Sequence, residues 1–154
     1  RLTQSSGLAI VDEHDIVYRD VPAPNERPAT PPRASGTASW SRTIQPDDVL
    51  LFRYSALTFN GHRIHYDRRY VTEVEGYPGL VVHGPLIATL LLELARGARP
   101  EATVVRYSFR AVSPLFDIAA FTVNGVASDD GKSLSLWAAN PDGGLAMEAT
   151  ATLA

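Results

Sequence analysis

The sequence predicts an α+β domain in which an antiparallel sheet wraps around one long buried helix, at about residues 84–97. Three observations carry this. Leu86, Ile87, Ala88, Leu90, Leu91, Leu92 and Leu94 leave the segment between Gly84-Pro85 and Gly97 almost no polar face, and a helix apolar all round is covered all round. From Thr103 onward apolar and polar residues alternate, the period of strands with one buried face. The strings Asp129-Asp130-Gly131-Lys132 and Asn140-Pro141-Asp142-Gly143-Gly144 cut that region at hairpin spacing.

Taken in order, Leu8–Val11 and Ile16–Tyr18 are strand material around a polar Asp12–Asp15 centre. So short a unit is not stable alone, and residues 1–20 need a sheet to join. Five of the eleven prolines fall at positions 22, 24, 28, 31 and 32, which makes 21–36 a proline-rich linker into a main domain at 37–154. Trp40–Ile44 alternates as a strand. Pro46-Asp47-Asp48 opens a helix, with proline at its first position and carboxylates at the positive end of its dipole. Val49, Leu50, Leu51, Phe52, Tyr54, Ala56 and Leu57 make that helix apolar over most of its circumference. Residues 59–83 are loop, with a short helix near Asp67–Val74. The main helix follows from Pro85 to Arg96, bracketed by Gly84 and Gly97. Strands are expected at Thr103–Val112, Ile118–Ser128, Ser133–Ala139 and Ala146–Leu153, with a bend at Ser113-Pro114.

Composition removes several classes of function. At 154 residues, 45% hydrophobic and 20% charged, the chain can bury a core. A net charge of −3 argues against a nucleic-acid surface. With no cysteine there is no disulfide, thiolate metal site or cysteine nucleophile, and a cytoplasmic setting fits. No apolar run approaches the ~20 residues that span a bilayer, so no membrane partner is expected.

Chemistry gathers in the loop stretch. His62, His65 and His83 lie within 22 residues, in the string Phe59-Asn60-Gly61-His62-Arg63-Ile64-His65-Tyr66-Asp67 and its continuation to Gly84-Pro85. Histidine is the acid/base that needs least tuning near neutral pH. A metal reading would take His62 and His65 with Asp67 or His83, but the spacing lacks the His-Glu-x-x-His form, and no metal is expected. His62 is either a participant or a hydrogen-bonded loop residue. His83 either contacts substrate or caps and packs at the helix start. Tyr66 and Asp67 read first as structural, Asp67 as an N-cap. Gly84 leaves a bare amide at a helix N-terminus, suited to a carbonyl oxygen that gains charge. Arg63 could pair with a substrate carboxylate or form a structural ion pair, and for Arg53 the ion pair is the preferred reading.

Phe52-Arg53-Tyr54-Ser55-Ala56-Leu57-Thr58 leading into that string, followed by Gly79-Leu80-Val81-Val82-His83-Gly84-Pro85-Leu86, resembles the hydroxyacyl-thioester dehydratase type 2 branch of the MaoC-like hydratases, over roughly residues 37–154. Within that branch the resemblance runs to mesaconyl-CoA (itaconyl-CoA) hydratase-type proteins. It implies a hot-dog fold and a hydro-lyase that adds water reversibly across a 2-enoyl thioester. CoA is then part of the substrate and no cofactor is needed. Against the family string Asp-x-Asn-Pro-x-His, His65 falls on the histidine, Asn60 on the aspartate, His62 on the asparagine and Arg63 on the proline. Asparagine cannot accept a proton, so the division of labour must differ. The resemblance implies His65 as acid/base, Asn60 orienting the water, His62 sharing the proton work or holding the tautomer of His65, and Gly84 stabilising the thioester enolate. Arg63, His83 and Tyr66 are the expected substrate contacts, with a C4–C5 dicarboxylyl-CoA such as mesaconyl-CoA as one candidate. It also implies that residues 1–20 close a mostly missing N-terminal hot-dog domain, and that the chain dimerises or pairs with that half.

Two other functions compete. A hot-dog acyl-CoA thioesterase would use the same oxyanion donor but wants a carboxylate near the helix, and Glu93 lies nearly three turns in. A non-catalytic thioester-binding or assembly module would have lost its catalytic aspartate to Asn60.

Overall fold

The computed structural model describes residues 1–18 and 30–154. Strands β1 (Leu2–Gln4) and β2 (Gly7–Ile10) form a separate antiparallel hairpin. Leu8–Ile10 of the first expected strand lies in β2, but its partner is β1 across a turn at Ser5-Ser6, and Ile16–Tyr18 is not a strand. The turn sits there because Gly7 takes φ 116°, a conformation open to glycine, whereas the Asp12–Asp15 segment spends Asp12 on an ion pair with His14. Most of the proline-rich segment, 21–29, lies outside the described residues. Its C-terminal end is fixed to the sheet: Leu145 N–H donates to the Pro32 carbonyl and Ala34 N–H to that of Gly143.

The domain is a five-stranded antiparallel sheet in the order β3-β5-β6-β7-β4, with β3 Trp40–Ile44, β4 Val104–Ala111, β5 Phe121–Ala127, β6 Ser133–Ala139 and β7 Leu145–Leu153. Helix α3, Gly84–Ala98, lies across all five strands. This is the hot-dog arrangement. Leu86, Ile87, Leu91 and Ala95 of α3 meet Phe121, Val123, Leu134, Leu136 and Met147 from the sheet. The alternation in β5 to β7 puts those side chains on one face. The other side of α3 stays half-covered at Leu90, Leu92 and Leu94 and open at Thr89 and Glu93, so the helix is buried on one side rather than all round. At Ser113-Pro114 the chain bends where Val112 and Ser113 both donate to the Ala146 carbonyl.

Helix α1 (Asp48–Leu57) begins two residues later than expected, with Pro46 outside it: Asp47 is the N-cap, and its carboxylate accepts from Leu50 N–H at 2.7 Å. Only Leu51 and Ser55 of α1 are buried, so its apolar circumference is not enclosed by this chain. Helix α2 spans Arg68–Glu73, capped by Asp67 as the sequence suggests. Residues 80–82 run beside 115–117 instead of leaving a strand from Ile118: Val82 N–H donates to Leu115 and Asp117 N–H to Leu80. Gly79 makes that approach possible, because a Cβ there would lie 2.6 Å from the Asp117 carboxylate. Asp117 accepts from Leu80 N–H and pairs with Arg68.

Candidate active site

The site is built where α1 ends, a loop turns, and α3 begins. The C-terminus of α1 closes with Phe59 N–H donating to Ala56 and Asn60 N–H to Ser55, a Schellman closure that needs a left-handed residue between. That residue is Phe59, at φ 53°. Asn60 then uses its side-chain oxygen to accept from His62 N–H at 3.0 Å, which turns the chain toward a short 3₁₀ turn, Arg63–His65. With Oδ1 committed, Asn60 presents its Nδ2–H donors.

His65 is buried, and its Nδ1 lies 2.7 Å from the Val81 carbonyl oxygen. A carbonyl only accepts, so Nδ1 carries the proton and Nε2 holds the lone pair. Among the described residues Nε2 has no hydrogen-bond partner and is not sealed from solvent. Burial lowers the His65 pKa below the usual histidine value, partly countered by the Val81 bond. The ring is therefore a neutral base with its accepting nitrogen open. Val81 also donates its own N–H to Ile64 at 3.0 Å, so the 3₁₀ turn and the run-in to α3 are cross-tied.

The His65 ring stacks on His83, with centroids 3.8 Å apart and planes at 16°. His83 is 1% exposed and precedes Gly84 as the N-cap residue of α3. Its Nε2 is hydrogen-bonded to Ser55 Oγ at 2.8 Å, and Tyr54 stands edge-on to it at 4.8 Å. Burial, with His65 alongside, lowers its pKa to about 4. His62 is exposed and edge-on to His65 at 5.6 Å. Gly84 opens α3 with Pro85 behind it, and the first helical bond is Ile87 N–H to His83. The Gly84 amide therefore has no intrahelical acceptor. A Cβ on Gly84 would meet nothing within 4 Å, and an apolar groove of about 330 Å³ adjoins it, lined by Val82, Ile87, Val112, Leu115 and Met147.

The structure thus brings together His65, Asn60, His62 and the mouth of α3. The three expected substrate contacts sit differently. His83 is sealed behind His65, because the apolar packing around α3 leaves its ring no exposed edge. Arg63 donates through Nε and a terminal nitrogen to Asp67 and lies 4.1 Å over the Tyr70 ring, the structural ion pair of the two alternatives. Tyr66 donates its hydroxyl proton to the Gly61 carbonyl at 3.0 Å and clamps the loop. Ser55 and Tyr54, which hold His83, went unnoticed in the sequence. A serine four residues after Leu51, on the buried stripe of an apolar helix, is the signal that marks such a partner. Glu93 pairs with Arg42 at 2.8 Å on the surface, so no carboxylate is provided there for thioester hydrolysis.

The sequence profile of hydroxyacyl-thioester dehydratase type 2 matches residues 1–117. The chain belongs to the hydroxyacyl-thioester dehydratase type 2 family. It is 49% identical to a mesaconyl-C(4)-CoA hydratase of Chloroflexus aurantiacus over 99% of its own length and 54% of that protein. It is 45% identical to a mitochondrial hydroxyacyl-thioester dehydratase type 2 of Schizosaccharomyces pombe, over 54% of this chain and 29% of that one. The chain thus spans about half of the first relative's length. An (R)-hydratase from A. caviae involved in PHA biosynthesis shares the fold at a TM-score of 0.63 and 18% identity, covering 77% of this chain and 96% of that one. In this dehydratase-family chain no helix among the described residues is long and apolar enough to cross a membrane.

Proposed function

We propose that the chain is the catalytic hot-dog unit of a hydro-lyase that reversibly hydrates a 2-enoyl-CoA thioester, with CoA as part of the substrate and no further cofactor. The observation that carries this is the His65 tautomer: its protonated Nδ1 is held on Val81 and its bare Nε2 is open beside the start of α3. Nε2 takes a proton from water as the oxygen attacks C3. The C2–C3 π electrons move onto the thioester as an enolate, which the Gly84 N–H stabilises. The His65 imidazolium then returns its proton to C2, so that one O–H and one π bond are exchanged for C–O and C–H bonds. Asn60 Nδ2–H steadies the water oxygen, and His62 flanks the base. The apolar groove beside Gly84 suits an acyl chain. The 49% identity to a mesaconyl-C(4)-CoA hydratase supports a dicarboxylyl-CoA substrate. Arg53, exposed on α1 and without an ion pair among the described residues, is a candidate cation for its far carboxylate, Arg63 being paired with Asp67.

The test is hydration of crotonyl-CoA and mesaconyl-CoA, followed by loss of enoyl absorbance. His65→Ala is expected to lower kcat at least 10²-fold with the fold intact, and turnover within threefold of wild type overturns the assignment. Release of free CoA without hydration, read with a thiol reagent, would instead indicate a thioesterase.

The unit acts with a second hot-dog unit, either another copy or an N-terminal half that residues 1–20 would close, in a cytoplasmic setting. Leu57 and Phe59 are 80% and 96% exposed, and Val105 and Phe109 open the edge strand β4. These are surfaces that such a unit would cover. Light scattering after size exclusion is expected to give twice the chain mass for the isolated chain if the partner is another copy, and the chain mass if it is the N-terminal half. In the second case, adding a separately expressed N-terminal half is expected to raise the mass and the turnover together.

A further inference from the structure

His83, 1% exposed, is enclosed more deeply than His65 beside it, and its surroundings are unusual. Nε2 is bonded to Ser55, yet Nδ1 is the only buried side-chain nitrogen or oxygen among the described residues that lacks a partner. An orphaned N–H in a core is rarer than an orphaned lone pair. The tautomer that meets this preference has Nε2–H donating to Ser55 Oγ and Nδ1 bare. That places an unshared lone pair in a ring lying flat against His65.

The chemistry asks for such a group. Where a family aspartate would stand the chain has Asn60, and among the described residues no carboxylate is hydrogen-bonded to His65 or His83. The other titratable groups facing the pair are Tyr54, edge-on to His83, and His62, edge-on to His65. Neither supplies a negative charge at neutral pH. The positive charge that forms on His65 when it takes a proton is thus met by the Val81 carbonyl at Nδ1 and by whatever lies against the ring face.

On the hydratase reading above, we propose that His83, anchored by Ser55, is a positioning residue. Its neutral ring sets the plane of His65, and its ring dipole, with the negative end at the bare Nδ1, lies alongside the imidazolium that forms there during hydration. Both rings stay inside the fold, and His83 neither contacts substrate nor transfers a proton.

Two measurements on the chain separate this inference from the hydratase reading. In ¹⁵N-histidine NMR of the wild type, His83 is expected as the Nε2–H tautomer and His65 as Nδ1–H. In His83→Phe, which keeps a flat ring but no lone pair, the titration midpoint of His65 is expected to fall by about half a unit. In turnover, His83→Phe is expected to lower kcat about tenfold with KM unchanged, and the acid limb of its pH profile moves down with that midpoint. Ser55→Ala, which packs in the same space, frees His83 to exchange tautomers and shows a smaller change of the same sign. An Nδ1–H tautomer at His83, or an unmoved His65 midpoint in His83→Phe, overturns the inference. If wild-type chain and partner half show no hydration while the NMR shifts occur, the hydratase reading fails and the positioning of His65 stands.

Discussion

At the scale of single residues, one bond decides the chemistry of the site. Because Val81 fixes the proton of His65 on Nδ1 and burial lowers its pKa, the base stays neutral below the usual histidine range. On the proposed hydratase role, hydration is expected to fall only on the acid side, with a midpoint below 6.5. A limb centred above that value would show a different base. Asn60→Asp keeps the side-chain oxygen that accepts from His62 N–H and adds a negative charge, so its acid limb is expected to move to higher pH. The grouping of His65, Asn60, His62 and Gly84 around one loop was legible in the sequence by type and spacing. The hydrogen-bond partners of Arg63, Tyr66 and His83 were not. Their partners are Asp67 with Tyr70, the Gly61 carbonyl, and Ser55, and which of several nearby groups a long side chain chooses depends on packing that a string of residues does not display.

At the scale of elements, the starts of α1 and α2 are each specified by a local bond. Asp47 starts α1 and Asp67 starts α2. The end of α1 is the exception, since the left-handed position that glycine usually fills holds Phe59, 96% exposed and without packing in return. Phe59→Gly is expected to raise stability by about 1 kcal/mol, measured by urea unfolding. A loss would show that the aromatic ring is itself a contact. Strands β4 to β7 match their expected spans within a few residues because period-two patterning and two glycine turns leave little choice of register. At the N-terminus the strand at Leu8–Ile10 was legible but its partner was not: the side chains of both strands are all exposed, so no buried face disciplines the pairing.

For the whole molecule, the buried histidines tie stability to pH. The folded pKa of His83 is about 4, below its value of 6.5 in an unfolded chain. Between those values the unfolded state binds more protons, so this contribution is complete above about pH 6.5 and is lost as pH falls toward 4. The size is about 3 kcal/mol at 1.36 kcal/mol per unit, and His65 adds in the same direction. The urea midpoint is expected to drop between pH 7 and 4.5, and to drop less in His83→Phe. An equal drop would place the acid sensitivity elsewhere. The α+β class, a sheet around one helix, was readable from one apolar helix and its alternating strands, and the hot-dog fold from the family resemblance, while the open side of that helix was not, because an apolar residue looks the same in a string whether its own chain covers it or not.

Val81 gives its N–H to Ile64 and takes that of His65 through its carbonyl, three residues ahead of Gly84. The His65 ring and the start of α3 are therefore spaced by a few covalent bonds and two short bridges, not by the loops around them. Breathing of the sheet or a shift of α1 would carry both groups together, and a substrate entering the cleft would find the distance between them already set.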